Sequence, residues 1–540
     1  MWPAGKLLET SMFFICVGMT VTNAPAQQVV VSIPAPGPTE QIDHFIAQDW
    51  ADREIEPAAR CSDRDFVCRL YLDLAGRVPT AQETDVFLED QREDKRQHLV
   101  DTLLQSEDHV HHLADVLDAL LMGRTDEGKY AERAANHWRS YLEEFVRQNR
   151  PWNKVAAEIL LARPENQSER GAVWYLYEQN NNHQAIAESI APFFFGLRIE
   201  CAQCHDHMIV DEIKQSDYWG LVAFFNRGKN TKTKLGPRVV ESAIGGFSEF
   251  ADLTGSSYPN LLSFLGSPPL NEKRPAAGQD QEDVDTLYVS GKPSDAPRVP
   301  KFSRRQAFIE QVVNGNRRIA LAMVNRVWAL LMGRGIVHPF DEMDSMHPPS
   351  HPDLLDELTN HFISSGYKMR GLIRSIVLSR AYQLSSRQPP GVEDPASFAW
   401  ALERPLTAEQ MARSVQLAVR GKFNNDAPLL HAFRQQFRDV LPDNFVAPVA
   451  DALYLSNHPA LDEFIRASNA PNHLRAQTLQ QPTHSKRIEL LFNTIFHRPP
   501  AASEQKAITD YLEQRESDLG PAIDQVVWSM LTSAEFRLNH

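Results

Sequence analysis

A mainly α fold, with two helical lobes joined by a loop-rich connector carrying minor β structure, is what this sequence predicts. Apolar residues recur at three- and four-residue intervals from Ile42 to about Gly228, and again from about Gln306 to His540. Between these stretches, residues 229–305 are dominated by Gly, Pro, Ser and charge, and only short runs there favour strands. Of the 540 residues, 42% are hydrophobic, enough for sizeable cores in more than one domain. The formal charge of −15 repels phosphate backbones, so no nucleic acid partner is expected, and a basic protein partner is favoured.

Residues 1–26 read as a secretory signal peptide. Lys6 precedes an apolar core from Met12 to Val21, and Ala24-Pro25-Ala26 forms a small-x-small cleavage site. An uncleaved anchor is the competing reading, because Glu9 and an imperfect core blur the pattern. The apolar run is too short to span a bilayer, and no later segment approaches the required length, so no transmembrane segment is expected after cleavage. The expected location is exported, either periplasmic or at the cell surface. Cys16 would leave with the signal, and Cys61, Cys68, Cys201 and Cys204 would remain. Residues 27–41 are Pro-rich and read as an extended leader.

The first helical lobe covers residues 42–228. Thr80 with Glu83 three residues on is a capping box, which places a helix start just after Pro79. Val86, Phe87 and Leu88 form its apolar stripe, and Leu99, Val100, Leu103 and Leu104 form that of the next helix. Cys61 and Cys68 would lie two turns apart on a continuous helix, too far for a disulfide, and pair only if the chain between them bends. In the connector, Arg238-Val239-Val240 and Thr286-Leu287-Tyr288-Val289 are the strand candidates. The second helical stretch, residues 306–540, holds a strongly apolar helix through Ile319, Leu321, Val324 and Trp328, ended by Gly333. Arg326 on that helix reads as a buried anchor for loop carbonyls.

A weak internal repeat links the two stretches. Arg77-Val78-Pro79-Thr80-Ala81-Gln82-Glu83 resembles Arg498-Pro499-Pro500-Ala501-Ala502-Ser503-Glu504. Downstream of each comes a Leu-x-Ser pair, at Leu104/Ser106 and Leu531/Ser533, with a related copy at Val377/Ser379. No base or oxyanion framework accompanies these serines, so they read as helix caps and not as nucleophiles.

Cys201-Ala202-Gln203-Cys204-His205 is the most informative stretch for function. In the C-x-x-C-H spacing two thiols capture the vinyl groups of a haem, and the adjacent histidine ligates the iron. The same spacing also serves a non-haem zinc or iron site, with Cys201, Cys204, His205 and His207 as donors, or a plain disulfide. Four metal donors within seven residues would be crowded. In the haem reading His205 is the proximal ligand, while His207 and Asp206 are second-shell or surface residues. Phe193, Phe194 and Phe195 lead into the motif and read as core, a role compatible with also walling a haem.

The chain resembles a known family. The segment Leu70 to Thr80, Cys201 through His207, and Tyr218 with Phe224-Phe225 resemble the planctomycete cytochrome c-like domain of unknown function. Asn325-Arg326-Val327-Trp328, Gly333 to Val337, and His351-Pro352-Asp353-Leu354-Leu355 are similar to its planctomycete-specific C-terminal companion. The Ser379 to Tyr382 and Ser533 to His540 elements fit that companion too. The resemblance implies an exported protein that carries the C-x-x-C-H motif and is described as cytochrome-like largely because of it; the motif itself gives the expectation of covalent haem c and, with it, a redox partner protein. Its members have no established biochemical role, and whether this chain is an enzyme is left open.

Many relatives carry a further cytochrome c domain ahead of this one, whereas here only the leader precedes it, so at most one C-x-x-C-H haem is expected. The family pattern often has Pro after the second histidine, and this chain has Met208. Lying three positions beyond His205, Met208 starts on the proximal side of the ring and is a poor candidate for the distal ligand. His338, His347, His351, Met343 and Met346, in one downstream loop, are the other candidates, each more often a surface residue, and a five-coordinate iron is the remaining alternative. Ser350 as cap and Pro352 in the first turn would give His351 a structural role at a helix start.

Overall fold

The computed structural model describes residues 37–234, 236–276, 278–290, 297–424, 428–437, 440–441, 454–455, 459–466 and 470–540. Helix takes 56% of the described residues and strand 6%, so the mainly α expectation holds. The expected signal peptide lies outside the described residues. The leader was expected to be extended as far as Gln41, but a helix, Pro38–Asp52, already begins at Pro38. Proline is tolerated at a helix start because its fixed φ suits the first turn and its missing N–H is not needed there. This helix buries Ile42, Ile46 and Trp50 against the helices Pro352–Ser364 and Met369–Leu378. Among the described residues no helix is long and apolar enough to cross a membrane.

Local chemistry sets the helix starts. Ser62 caps Asp63–Ala75, and Thr80 and Glu83 form the expected capping box on Ala81–Glu89. Ser106, Ser379 and Ser533 each accept the backbone N–H three residues on, at 3.1, 3.3 and 3.4 Å. All three serines are therefore caps. The helix Asp63–Ala75 stops at Gly76, whose φ of +67° suits glycine. A Cβ there would also lie 2.4 Å from the His112 ring, so the site needs a residue without one.

The sequence repeat is a structural one. Arg77 grips Glu83 with two bonds of 2.8 Å and reaches Asp108 through Nε at 2.8 Å. Arg498 grips Glu504 in the same way and reaches Glu535 through Nε at 2.6 Å. In both copies one guanidinium ties the capping-box glutamate to an acid in the first turn after the capping serine. This bidentate geometry is specific to arginine.

The apolar cores divide near residue 400, not at the connector. One buried cluster runs from Ile42 through Trp328 and Phe362 to Trp400, so the first helical stretch shares its core with the helices just after the connector. The second runs from Leu406 to Phe536 and takes in Leu72 and Val78 from the N-terminal stretch. Helical periodicity shows which face is buried but not against which partner, so this division was not visible in the pattern.

An ionic network ties the helix Glu107–Met122 to the helix Ala408–Arg420 across the two cores. Buried Asp115 pairs with Arg139 and Arg413, and buried Glu409 pairs with Arg124 and, at 2.8 Å, with Arg434. Flanking arginines hold the Asp115 carboxyl far below the ordinary range despite burial, and those beside Glu409 hold its carboxyl down at about 2.

The connector carries two antiparallel hairpins. Gly228–Thr233 pairs with Gly236–Glu241, which contains the expected strand at Arg238–Val240, and Glu249–Ala251 pairs with Ser257–Pro259. Thr286–Val289 does not form a strand. It makes one 3-10 turn at Asp285–Leu287, and only Tyr288 bridges to Pro300. Buried Glu241 and half-buried Glu272 pin the connector to Arg163, Arg227, Arg304 and Arg305. A third short pair, Arg404–Pro405 with Leu538–Asn539, ties the C-terminal end of the chain to the residues just after the first core.

Candidate functional site

The approach to the C-x-x-C-H motif is built from the core outward. The helix Arg317–Met332 buries Arg326, whose guanidinium donates to the carbonyls of Phe193 and Pro192 at 2.8 and 3.0 Å. Those carbonyls belong to a π-turn, Ala191–Phe195, whose wider pitch leaves backbone acceptors for a side chain to satisfy. The guanidinium also lies over the Phe193 ring, 4.4 Å from its centroid. Arg326 is thus the carbonyl anchor expected from sequence. Burial lowers its pKa only to about 10, so it stays charged at neutral pH. Arg326→Met would strand two buried carbonyls and is expected to cost about 2–4 kcal/mol, read as a lower urea midpoint.

The three phenylalanines are core. Phe194 stacks on Trp152 at 5.7 Å, and Phe195 meets Phe264 edge-on at 5.1 Å. Their packing on these rings is the core role expected of them. Gly196 closes the turn, and Arg198 pairs with Asp341 and Glu342 at 3.0 and 3.1 Å.

The motif itself lies at the surface. Cys201 is on a short 3-10 turn, Glu200–Gln203, and Cys204 follows it. Both are exposed free thiols, while Ala202 between them is buried and fixes the turn. The Gln203 carbonyl accepts Trp219 Nε1 at 3.0 Å and Gln215 Nε2 at 3.3 Å, which braces the turn on the next helix, Gln215–Phe225. Asp206 accepts the Gln215 N–H at 2.9 Å at the start of that helix and pairs with Lys214 at 3.4 Å.

The two histidines of the motif are held in opposite tautomers. His205 Nδ1 lies 2.7 Å from the Asp206 carbonyl oxygen, which can only accept, so Nδ1 carries a proton and, in the neutral ring, Nε2 is the nitrogen with the lone pair. His207 Nδ1 accepts two backbone N–H groups, from Ile209 at 3.3 Å and Val210 at 2.9 Å, so its proton sits on Nε2. His205 therefore presents a ligand nitrogen, oriented as second-shell carbonyls orient metal-bound imidazoles. His207 does not, and its role is to close the loop, helped by its own N–H to the Ile213 carbonyl at 2.9 Å. Among the described residues no three His, Cys, Asp or Glu side chains converge as a metal site, so the four-donor set with His207 is not assembled.

This donor set fits a covalent haem. Two accessible thiols and one free imidazole nitrogen are what attachment and proximal ligation require. Met208 (83% exposed) and Ile209 (66%) follow the motif at the surface, and Met346 (53%) follows Ser345, which donates to Glu212.

Most of the other sequence candidates have structural partners. His347 lies between Asp344 and Glu342, at 2.9 and 3.4 Å. His351 is buried, packed on Phe398 and 3.5 Å from Asp49, and itself occupies the cap position expected of Ser350, with Pro352 at the helix start. Met343 is buried beneath Gly196, and His338 precedes Pro339 at the head of the same loop. Cys61 and Cys68 are both free. Arg96 donates to the Cys61 sulfur at 3.8 Å, and burial pushes the Cys68 thiol up to about 12. The Asp115–Glu409 network was missed from sequence. Its only signal is an acid on the apolar stripe of the helix Glu107–Met122.

Comparison with known proteins bears on both halves of the chain. Residues 41–230 match a family model described as PSCyt2, protein of unknown function (DUF1549), and the motif lies within that span. Residues 304–430 match one described as PSD1, protein of unknown function (DUF1553). No curated protein and no solved structure matches the chain.

Proposed function

We propose, on the premise that the chain carries the planctomycete cytochrome-like domain followed by its C-terminal companion, both of unknown function, that it holds one covalent haem c at Cys201, Cys204 and His205 and acts in electron transfer outside the cytoplasm. The observation that carries this reading is the tautomer of His205, which leaves Nε2 available beside two free, exposed thiols.

Cys201 and Cys204 would hold the group through two thioether bonds, which require both thiols reduced and no net oxidation. The bound group would supply a one-electron iron couple. The Asp206 carbonyl keeps the proton on His205 Nδ1 and so holds Nε2 in its ligating form. Trp219 and Gln215 steady the turn that carries both cysteines. Because the motif is at the surface and not in the core, its group would lie open to a redox partner protein, and the net charge of −15 favours a basic one. Export, read from residues 1–26, agrees with this chemistry.

A pyridine haemochrome spectrum of the purified mature protein tests the proposal. One haem per chain that resists acid extraction is the expected result. Stoichiometric zinc or iron without haem would replace it with a metal-dependent activity. Neither haem nor metal, together with no free thiols, would point to a scaffold with a C-x-x-C disulfide.

A further inference from the structure

We infer that the second connector hairpin, Glu249–Ala251 with Ser257–Pro259, and the motif loop form one docking surface for a basic redox protein, whose redox character rests on the haem reading above. The helix Gln215–Phe225 holds the two segments side by side. Buried Gln215 donates through Nε2 both to the Gln203 carbonyl, inside the motif, at 3.3 Å and to the Ala251 carbonyl, on the hairpin, at 3.0 Å. Further along the helix, Gly220 is pressed against the chain that leaves the hairpin. A Cβ there would lie 2.1 Å from the Ser263 carbonyl oxygen and 3.1 Å from that of Leu261. Asp217 accepts the Leu265 N–H at 3.1 Å. Three attachments along one helix therefore fix the hairpin beside the turn that carries the thiols.

What these segments present to solvent is apolar. Ten large apolar side chains are well exposed among the described residues, and five of them fall here: Met208 and Ile209 on the motif loop, and Leu253, Tyr258 and Leu261 on or just after the hairpin. Single exposed apolar residues are ordinary, whereas a concentration of them marks an interaction surface. Tyr258 is steadied by its cross-strand partner Phe250, with ring centroids 5.6 Å apart. The charge among these groups is acidic. Residues 200–214 carry Glu200, Asp206, Asp211 and Glu212 against Lys214, and residues 249–259 carry Glu249 and Asp252 with no base. All of these carboxylates except Asp252 are exposed. Apolar contacts set among carboxylates complement a protein that presents lysines around an apolar patch. The same carboxylates repel a second copy of this chain and an anionic lipid surface. A partner seated here lies next to Cys201 and Cys204, so docking and electron transfer share one face.

The test measures affinity between the mature full-length protein and a basic cytochrome c, with the same cytochrome acetylated on its lysines as the charge control. Haem content of each preparation is read separately by haemochrome. The wild type is expected to bind the basic form, to lose about tenfold in affinity between about 20 and about 200 mM salt, and not to bind the acetylated form. Glu249→Lys is expected to weaken binding about tenfold and Leu253→Ser about fivefold. Both positions are exposed, so neither change reaches the core. Glu513→Lys, the same change of charge at an exposed position on the helix Ala502–Glu513, is expected to stay within about twofold of wild type. Equal weakening by Glu249→Lys and Glu513→Lys would reduce the effect to net charge and overturn the surface. So would unchanged binding by Leu253→Ser, a wild type that ignores the basic cytochrome, or one that binds phosphatidylglycerol vesicles in its place. The expected binding pattern from protein without haem would keep the surface and overturn the redox role of its partner, so the two readings fail separately.

Discussion

Replacing Cys201 and Cys204 together by serine is expected to abolish covalent haem while the fold persists. A hydroxyl does not add to a vinyl group as a thiol does, and both residues are exposed, so neither side chain supports the core. The single variants are expected to keep one thioether and a lower haem yield. The double variant should retain a cooperative urea transition within about 0.5 kcal/mol of wild type, as surface substitutions away from structural features do. Loss of haem with an intact transition separates attachment from folding. Unchanged acid-resistant haem in the double variant would remove both cysteines from the account.

A second large effect concerns acid. His109, His112 and His497 are buried, and burial lowers their pKa values to about 4, about 3 and about 4. Arg413 deepens the shift at His112, as Arg64 does at His497, while the Leu74 carbonyl offsets it at His109. Each ring stays neutral in the folded chain, whereas in the unfolded chain each takes a proton below about pH 6.5. The unfolded state therefore binds more protons, and the stability held above pH 6.5 is lost as pH falls toward the folded values.

Between pH 7 and pH 5 each histidine is expected to cost about 2 kcal/mol, a large share of the stability of an ordinary domain. Glu409 and Asp115 are held ionised well below pH 5 and contribute little across this window. The carboxyls of Asp118 and Asp217, raised by burial, act in the opposite sense, so total stability is not the best readout. His112→Gln is expected to shrink the difference between urea unfolding at pH 7 and at pH 5 by about 2 kcal/mol. An unchanged difference would show that this ring does not titrate in that window.

Features decided within a few residues were legible in the sequence. The Thr80–Glu83 capping box and the capping roles of Ser106, Ser379 and Ser533 follow from i to i+3 chemistry, which is written in adjacent residues. Arg326 could be read as an anchor because a lone arginine on an apolar helix face needs acceptors, and carbonyls are the nearest ones. The motif and the two-domain resemblance were equally local.

Features decided by long-range partners were not legible. Asp115 meets Arg413 across 298 positions, and Leu72 and Val78 pack with residues beyond 400, pairings that periodicity does not encode. The opposite tautomers of His205 and His207 depend on which backbone groups the turn delivers to each ring, so two histidines that look equivalent in sequence differ in chemistry. The helix start at Pro38 was obscured because proline marks both extended leaders and first turns.

The most direct measurement is the mass of the proteolytic fragment that spans Cys201 to His205, taken from protein secreted by a host competent to mature c-type cytochromes. The account predicts that this fragment carries the added mass of one porphyrin on its two sulfurs. A fragment recovered at its peptide mass, with the two sulfurs free or joined to each other, would contradict it.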